Sequence, residues 1–260
     1  YIYMKKLTNY SFSAEAKRIV HIVIYIIFLF YSIYLITQAT SLSVKLAYAA
    51  ITIIFLTIAI FAEYLEFLSE QAIKALNYEC NPEKAKAIYD KLQKFDFFKS
   101  YKNNRILFDT IYNLAIIEPN NAIKLIQEND KYFRANIDAL LIRNVSLFIA
   151  YVESNNKTQA KKAYPEIIKL KGAKVKGKKL SPLYNWDELE ALYYYISNDF
   201  DKACKTYKNV NIAYMNNKEK TQYYLFYYKS LLQNKEIEQA TQIKTELEKV
   251  CNLLPINKLM

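Results

Sequence analysis

Few residues of this sequence have the types and spacing that a catalytic site needs. The 260 residues include a single histidine, His21, and only 2 glycines, Gly172 and Gly177. One histidine cannot supply the usual zinc-binding or nucleophile–base sets. Two glycines in one lysine-rich segment cannot form a glycine-rich phosphate loop. The sequence therefore predicts a protein that is not an enzyme and that uses no metal and no cofactor.

The other reactive side chains lack the pairing that chemistry requires. The three cysteines lie far apart, with neither metal-ligand nor redox spacing, and are expected to be reduced thiols packed as small apolar groups. They are Cys80, Cys204 and Cys251. Carboxylates such as Asp187, Glu188 and Glu190 recur at helical spacing. This spacing is typical of a solvated helix surface.

The charge and the aromatic content of the chain allow two interpretations. The formal net charge is +11, and there are 25 Tyr and 14 Phe. Basic residues interleaved with aromatic residues can bind nucleic acid. The bias towards Lys, Asn, Ile and Tyr is also what a genome poor in G and C gives to any protein. We favour the second interpretation and do not expect a nucleic-acid partner, although a basic surface also suits anionic lipids.

Two apolar segments are long enough to cross a membrane. Residues 19–36 read IVHIVIYIIFLFYSIYLI, and residues 46–62 read LAYAAITIIFLTIAIFA. Between Arg18 and Glu63 the only full charge is Lys45. Each segment spans a hydrocarbon core of about 30 Å. The sequence predicts a transmembrane hairpin with helices at 19–36 and 44–62.

Two alternatives to a membrane hairpin are less consistent with these segments. A cleaved signal peptide would fit the small residues Thr37 and Ala39, but the apolar stretch exceeds the ~7–15 residues of a signal core. A buried helix pair of a soluble protein would fit the apolarity, but soluble core helices rarely lack charge for so long. We therefore expect both segments to span a bacterial cell membrane.

The distribution of basic residues predicts the orientation of the hairpin. Four basic residues precede the first span and one lies at the tip: Lys5, Lys6, Lys17, Arg18 and Lys45. Basic residues favour the cytoplasmic side. Residues 1–18 and residues 63–260, with both termini, are therefore expected in the cytoplasm.

The second span is expected to continue as one helix beyond the membrane, from about Val44 to about Tyr78, because no Gly or Pro interrupts it. Three carboxylates follow the span at helical spacing and need cationic neighbours beside an anionic leaflet, unless they are simply solvated. The predicted membrane-proximal charge cluster is Lys17, Arg18, Glu63, Glu66 and Glu70. We expect His21 to snorkel to the nearby boundary rather than to relay protons.

The rest of the chain contains an internal repeat. Five segments share an Ala a few residues into a helix that follows a polar turn, and the spacings are 37, 38, 43 and 37 residues. The shared residues are Ala85, Ala122, Ala160, Ala203 and Ala240. A helix precedes each segment, so the pattern predicts five helical hairpins that bury their apolar faces on their neighbours. The aromatic residue four positions later in three segments is expected to face the next repeat.

Residues 64–252 resemble the tetratricopeptide (TPR) repeat family, most closely in NDFDKACKTYKNV at 198–210. The period is longer than the ~34 residues of that family, and its Trp, Leu-Gly and Tyr pattern is largely missing, so other paired-helix repeats remain open. The resemblance implies an all-α chain in which the transmembrane hairpin is followed by a right-handed α-solenoid of about five hairpins at 63–260.

In TPR proteins the first helices of the hairpins line a concave groove, so the resemblance implies ligand contacts there. Asn113, Arg143 and Asn144 lie on such helices, where an amide can hold a peptide backbone and Arg143 a carboxylate. Aromatic runs at 193–195 and 223–228 can add contacts of high affinity. The candidates for partner or peptide binding are Asn113, Arg143, Asn144, Tyr194, Tyr224 and Tyr228. Helix capping and inter-repeat packing are the alternative uses.

A lysine-rich segment at 169–182, KLKGAKVKGKKLSP, lengthens one spacing of the repeat. We interpret it as a loop that contacts anionic lipid or an acidic partner, with a merely solvated insertion as an equal alternative. The residues expected to make that contact are Lys171, Lys174, Lys176, Lys178 and Lys179.

Three functional hypotheses follow. The first is an adaptor or accessory subunit that holds a protein partner, expected to be an integral membrane protein or a peptide segment, at the cytoplasmic face of the membrane in a transport, secretion or envelope-assembly complex. The second is a membrane-tethered peptide sensor or immunity protein. The third, a nucleic-acid binder, rests on charge alone and would lose affinity steeply with salt.

Overall fold

A computed structural model describes residues 4–175, 178–179, 184–250 and 253–259. The described chain is helical except for one two-stranded ladder. It divides into two compact units, Tyr1–Leu68 and Ser69–Met260.

The first unit contains two helices that are long and apolar enough to cross a membrane, as judged by length and composition. Helix α1 runs over Met4–Gln38 and helix α2 over Leu42–Asn77. The apolar stretches are Ile19–Gln38 and Leu42–Asn77. Of the 18 most apolar consecutive residues in each, only 6% and 11%, respectively, are buried. A core helix of a soluble protein would be mostly buried, so these exposed apolar side chains fit a lipid environment better than water.

The two apolar helices contact each other through aromatic side chains, and each also carries a buried small polar side chain. The rings of Phe28 and Phe55 lie 4.4 Å apart. Ser32 and Thr52 are buried, and each hydroxyl donates to the carbonyl oxygen four residues earlier at 2.8 Å. These hydroxyls are thus satisfied within their own helices, as a nonaqueous environment requires.

Helix α2 is unbroken from Leu42 to Asn77. The expected single helix from about Val44 to about Tyr78 is therefore confirmed to within two residues at each end. The reason is local, because nothing between these positions removes a backbone donor or favours a left-handed conformation.

The second unit is a series of helical hairpins. The end of α2 shares a buried cluster with α3, and the later helices pair as α4 with α5, α7 with α8, α9 with α10, and α11 with α12. A short helix, α6, was not predicted and lies between α5 and α7. The bounds are α3 Pro82–Phe95, α4 Lys102–Ala115, α5 Pro119–Glu128, α6 Asp130–Phe133, α7 Ile137–Glu153, α8 Lys157–Ile168, α9 Trp186–Ile196, α10 Phe200–Asn209, α11 Asn217–Gln233 and α12 Ile237–Val250. Short 3₁₀ turns occupy Ile212–Tyr214 and Ile256–Lys258.

The shared alanines of the repeat are among the most buried positions of the second helices. All five are at most 1% exposed: Ala85, Ala122, Ala160, Ala203 and Ala240. The aromatic residues four positions later contact the next hairpin, as expected. Tyr89 stacks on Phe108 with ring centroids 3.9 Å apart, and Tyr164 stacks on Tyr193 at 4.3 Å. The spacing of small and aromatic residues therefore identifies the packing surface correctly.

Every hairpin turn has a residue with positive φ directly before the N-cap of its second helix. These residues are Cys80, Ile117, Asn155, Asn198 and Lys235, with φ between 52° and 64°. In the last four turns the next amide bonds the carbonyl oxygen five residues back, as Asp199 N does to Tyr194 O at 3.0 Å. This is the bond that closes a Schellman motif, in which glycine is usual. The turn geometry thus repeats with the alanines although no glycine is present.

The segment between α8 and α9 contains more order than the predicted loop. Lys174–Val175 and Lys178–Lys179 form an antiparallel ladder, in which Lys174 pairs with Lys179. The segment predicted as a loop therefore includes a short antiparallel ladder at these residues. Two backbone pairs suffice for such a ladder, and two-residue strands leave too little sequence pattern to predict.

Candidate functional site

The described residues contain no group of three or more His, Cys, Asp or Glu side chains placed to hold a metal ion. Cys80 and Cys204 are buried and not in disulfides, while Cys251 lies outside the described residues. Burial raises the pKa of the Cys204 thiol to about 11. That thiol is therefore protonated at neutral pH and packs as an apolar group.

The amide and guanidinium groups predicted to bind a partner make contacts within the chain. The Asn113 side chain donates to Asp109 O at 2.7 Å. The Asn144 side chain, only 8% exposed, donates to Glu166 O at 3.3 Å. Arg143 binds Asp130 Oδ1 at 2.8 Å and Asn144 Oδ1 at 3.1 Å. The role of these residues in partner binding stays a prediction.

The three predicted tyrosines differ in accessibility. Tyr194 donates its hydroxyl to Glu190 Oε1 at 3.1 Å, and Lys202 Nζ lies 5.6 Å from its ring centroid. Tyr224 is buried at 8% exposure, and Tyr228 packs partly buried against the same core. Tyr194 and Tyr228 are thus partly buried, whereas Tyr224 is buried.

The lysine-rich segment is described only in part. Lys171 is exposed, and its Nζ lies 5.9 Å from the ring centroid of Trp186. Lys176 lies outside the described residues. The same holds for the side chains of Lys174, Lys178 and Lys179, whose backbone forms the ladder. The predicted contact with lipid or an acidic partner therefore stays a prediction.

In the membrane-proximal cluster the structure gives Glu63 partners that the sequence did not predict. His21 Nδ1 lies 2.6 Å from Glu63 Oε1, and the Tyr25 hydroxyl donates to the same oxygen at 3.1 Å. The predicted partners, Lys17 and Arg18, have side chains outside the described residues, so their pairing with Glu63, Glu66 and Glu70 stays a prediction. His21 nevertheless has a defined contact that links α1 to α2.

The second unit contains a half-open cavity, and the space between its lining residues is about 460 Å³ with open solvent included. Its wall is formed by the ends of α4 and α7, by the first turns of α11, and by the segment after α12. Polar groups enter it from Glu153, Lys218, Thr221 and Gln222, and the rest of the wall is apolar. Three of the contributing helices are first helices of hairpins, which is the class of helix that was expected to bind a partner.

Glu153 gives this cavity its electrostatic character. Its Oε2 atom is buried and has no hydrogen-bond partner among the described residues. Burial raises the pKa of the Glu153 carboxyl to about 8, and the nearby Lys218 ammonium opposes that rise. At neutral pH the group is therefore largely protonated and presents an unused hydrogen-bonding oxygen to the cavity.

A second buried carboxyl lies within electrostatic reach of the same lysine. Burial, assisted by the Glu219 carboxylate and opposed by Lys218, raises the pKa of Glu188 to about 8. Burial also raises the pKa of Glu219, although its side chain accepts a hydrogen bond from Asn216 N at 2.9 Å. One lysine and three carboxyl groups thus surround the start of α11.

The segment after α12 closes the cavity and ties the end of the unit to earlier hairpins. Lys258 Nζ donates to Ile116 O and to Glu118 Oε1, both at 3.1 Å. Lys229 Nζ donates to Leu259 O at 2.6 Å. An ammonium group at the last carbonyls of α4 is favourable because those carbonyls have no partner within the helix.

Sequence reasoning missed the cavity because its residues come from four separate parts of the chain. One available signal was Glu153 itself, a carboxylate at the end of the apolar run LFIAYVE. Another was the apolar LLPINKL sequence after α12, which a solvated tail would not need. No family model, no curated protein and no solved structure matches this chain.

Proposed function

We propose that this protein is a membrane-anchored adaptor that binds a protein partner at the cytoplasmic face of a bacterial membrane. The observation that carries the proposal is the contrast between the two units, one with exposed apolar helices and one with helical hairpins. Helices α1 and α2 expose Ile, Leu and Phe side chains along the first unit, including Ile27 at 62% and Phe30 at 69%. The second unit consists of helical hairpins, a construction that commonly serves protein binding.

The cavity is the favoured contact point for the partner. It lies among first helices and combines an apolar wall with a few polar groups, which is the composition of most binding pockets. Its neutral carboxyl at Glu153 can accept or donate a hydrogen bond from a side chain or backbone of the partner. The resulting contact would be a small apolar anchor with one polar recognition group.

A second candidate, a membrane-tethered peptide sensor, is favoured by the same cavity. Its volume suits one or two side chains of a peptide. The two candidates differ in what co-purifies, because an adaptor holds a membrane protein and a sensor holds a free peptide.

Partner capture from detergent-solubilised membranes tests the adaptor proposal. We expect the full chain to recover one membrane protein in near-stoichiometric amount by mass spectrometry. Gln222→Arg places a long charged side chain at the cavity and should abolish recovery. Gln239→Arg makes the same change on the exposed surface of α12 and should leave recovery intact.

Two results would contradict the adaptor proposal. One is the absence of any co-purifying membrane protein at near-stoichiometric level. The other is equal recovery by both arginine variants, which would separate partner binding from the cavity. Recovery of a short peptide in place of a protein would favour the sensor.

The proposed topology places the second unit in the cytoplasm. Basic residues before the first span outnumber the single Lys45 at the tip, and such asymmetry sets orientation. A reporter active only in the cytoplasm should therefore be active when fused after Met260 and inactive when inserted at Ser41. Cleavage of the second unit by external protease in intact cells would exclude this orientation.

A further inference from the structure

The turn between α3 and α4 exposes two consecutive phenylalanines. Phe97 is 72% exposed and Phe98 is 78% exposed. On the apolar helices of the first unit, Phe30 is 69% exposed and Phe55 is 45% exposed. The turn thus presents aromatic surface to its surroundings at least as fully as the helices that are apolar enough to span a membrane.

The turn that carries these rings is well formed. The Asp96 carboxylate accepts the backbone N–H groups of Ser100 at 2.9 Å and Tyr101 at 2.8 Å. Lys99 N donates to Asp96 O at 3.1 Å, and Lys99 has φ of 53°. These hydrogen bonds fix the backbone that carries the two exposed phenylalanines. Little backbone freedom would therefore be lost when the rings enter lipid, so the backbone of the turn is preorganised for a contact.

Exposed cationic side chains flank the two phenylalanines in the sequence. Lys94, Lys99, Lys102 and Arg105 are all exposed. Arg105 Nε lies 3.3 Å from Asp109 Oδ2, so its charge is partly balanced. The carboxylate nearest to the rings in the sequence, that of Asp96, accepts hydrogen bonds from backbone N–H groups of the turn. The surface therefore combines apolar rings with an excess of positive charge.

We propose that the Phe97–Phe98 turn docks into the interface of an anionic lipid leaflet, with both rings among the upper acyl chains and the lysines on the phosphates. Phenylalanine is among the apolar side chains that enter the boundary between headgroups and acyl chains, and anionic headgroups attract nearby lysines. The exposed charged side chains from Lys94 to Arg105 are all cationic, which suits an anionic surface. Because the chain carries its own candidate spans, tethering gives the turn a high effective concentration of lipid. The proposal depends on membrane insertion and not on the adaptor function.

Quenching by lipid-bound bromine tests the contact in the full chain. The protein has 1 Trp, Trp186, so the unmodified chain reconstituted into nanodiscs gives the background signal. In Phe98→Trp we expect the added indole emission to be blue-shifted and to be lost in discs with brominated acyl chains. Ile237→Trp is the matched control, because Ile237 is 59% exposed at the start of α12. Its indole should keep its emission in both kinds of disc.

The contribution of charge is tested by removing the cations next to the rings. Each of Lys99→Gln and Lys102→Gln in the Phe98→Trp background should lower the docked-to-free ratio about fivefold in anionic discs, from an attraction of about 1 kcal/mol per lysine. Lys205→Gln and Lys208→Gln, on the exposed surface of α10, should change nothing.

Three outcomes overturn the proposal. Equal emission of Phe98→Trp in brominated and ordinary discs means that the turn stays out of the lipid. A blue shift without bromine quenching means that the rings are covered by protein instead. Quenching that stays the same in discs of neutral lipid and after the lysine substitutions means that an anionic leaflet is not the partner.

Discussion

Replacing Phe148 by alanine should lower the free energy of unfolding of the second unit by about 3–5 kcal/mol, the usual range for a fully buried phenylalanine. Phe148 is 0% exposed in α7 and belongs to the largest buried cluster of the unit. Its ring centroid lies 5.6 Å from that of Tyr164 on α8. Loss of the ring removes contacts within its own hairpin and leaves a cavity that fixed helices cannot close.

Denaturant unfolding in detergent measures this effect. Trp186 packs against the same cluster, so its emission reports unfolding of the second unit. Phe98→Ala is the matched control, because it removes the same ring from a position that is 78% exposed. Its effect should stay within about 0.5 kcal/mol, as at most surface positions. Equal effects of the two substitutions would mean that Phe148 does not lie in the core.

The repeat could be predicted from sequence because its signal is local. An alanine at the crossing of two helices and an aromatic residue four positions later lie on one helix face. Ala203 and Tyr207 show the result, since both are at most 1% exposed. The residue type at each of these positions depends on packing against one neighbouring helix. The sequence of a single segment is therefore enough to identify the position.

The turns of the hairpins were harder to predict, because left-handed residues are usually glycines. Here the position is occupied by residues as different as Asn198 and Ile117, the latter with φ of 57°. A β-branched residue in this conformation is an outlier. The bonds that close the Schellman motif, such as Glu118 N to Asn113 O at 2.8 Å, help to hold it. Helix packing therefore selects a turn that the local sequence disfavours.

The contacts that define the candidate sites depend on residues far apart in the chain. His21 reaches Glu63 across 42 positions, and Lys258 reaches Ile116 across 142. The sequence predicted that the carboxylates after the second span have cationic neighbours unless they are simply solvated. It did not predict that His21 lies beside Glu63, because that contact depends on how α1 packs against α2.

Glu153 should make the stability of the second unit depend on pH. Its pKa is raised by burial from about 4.5 to about 8, so the folded state prefers the protonated carboxyl. The corresponding stability is fully present below pH 4.5 and is lost as the pH rises towards 8. One pKa unit corresponds to about 1.4 kcal/mol. Because part of this side chain reaches solvent, we expect a smaller total loss of about 2 kcal/mol.

Glu153→Gln removes this titration while keeping the shape of the side chain. Its free energy of unfolding relative to the unmodified chain should rise by about 2 kcal/mol between pH 5 and pH 9. Any cost of burying an amide is the same at every pH and therefore does not affect this difference. Denaturant unfolding at several pH values, followed by Trp186 emission, gives the measurement.

Glu128→Gln is the matched control for the pH dependence. Glu128 is the last residue of α5 as Glu153 is the last residue of α7, but its side chain is 56% exposed. Its substitution should leave the stability difference flat with pH. A flat difference for Glu153→Gln as well would mean that Glu153 ionises freely, with its oxygen in contact with water. The cavity would then lack the neutral carboxyl on which its proposed recognition of a partner depends.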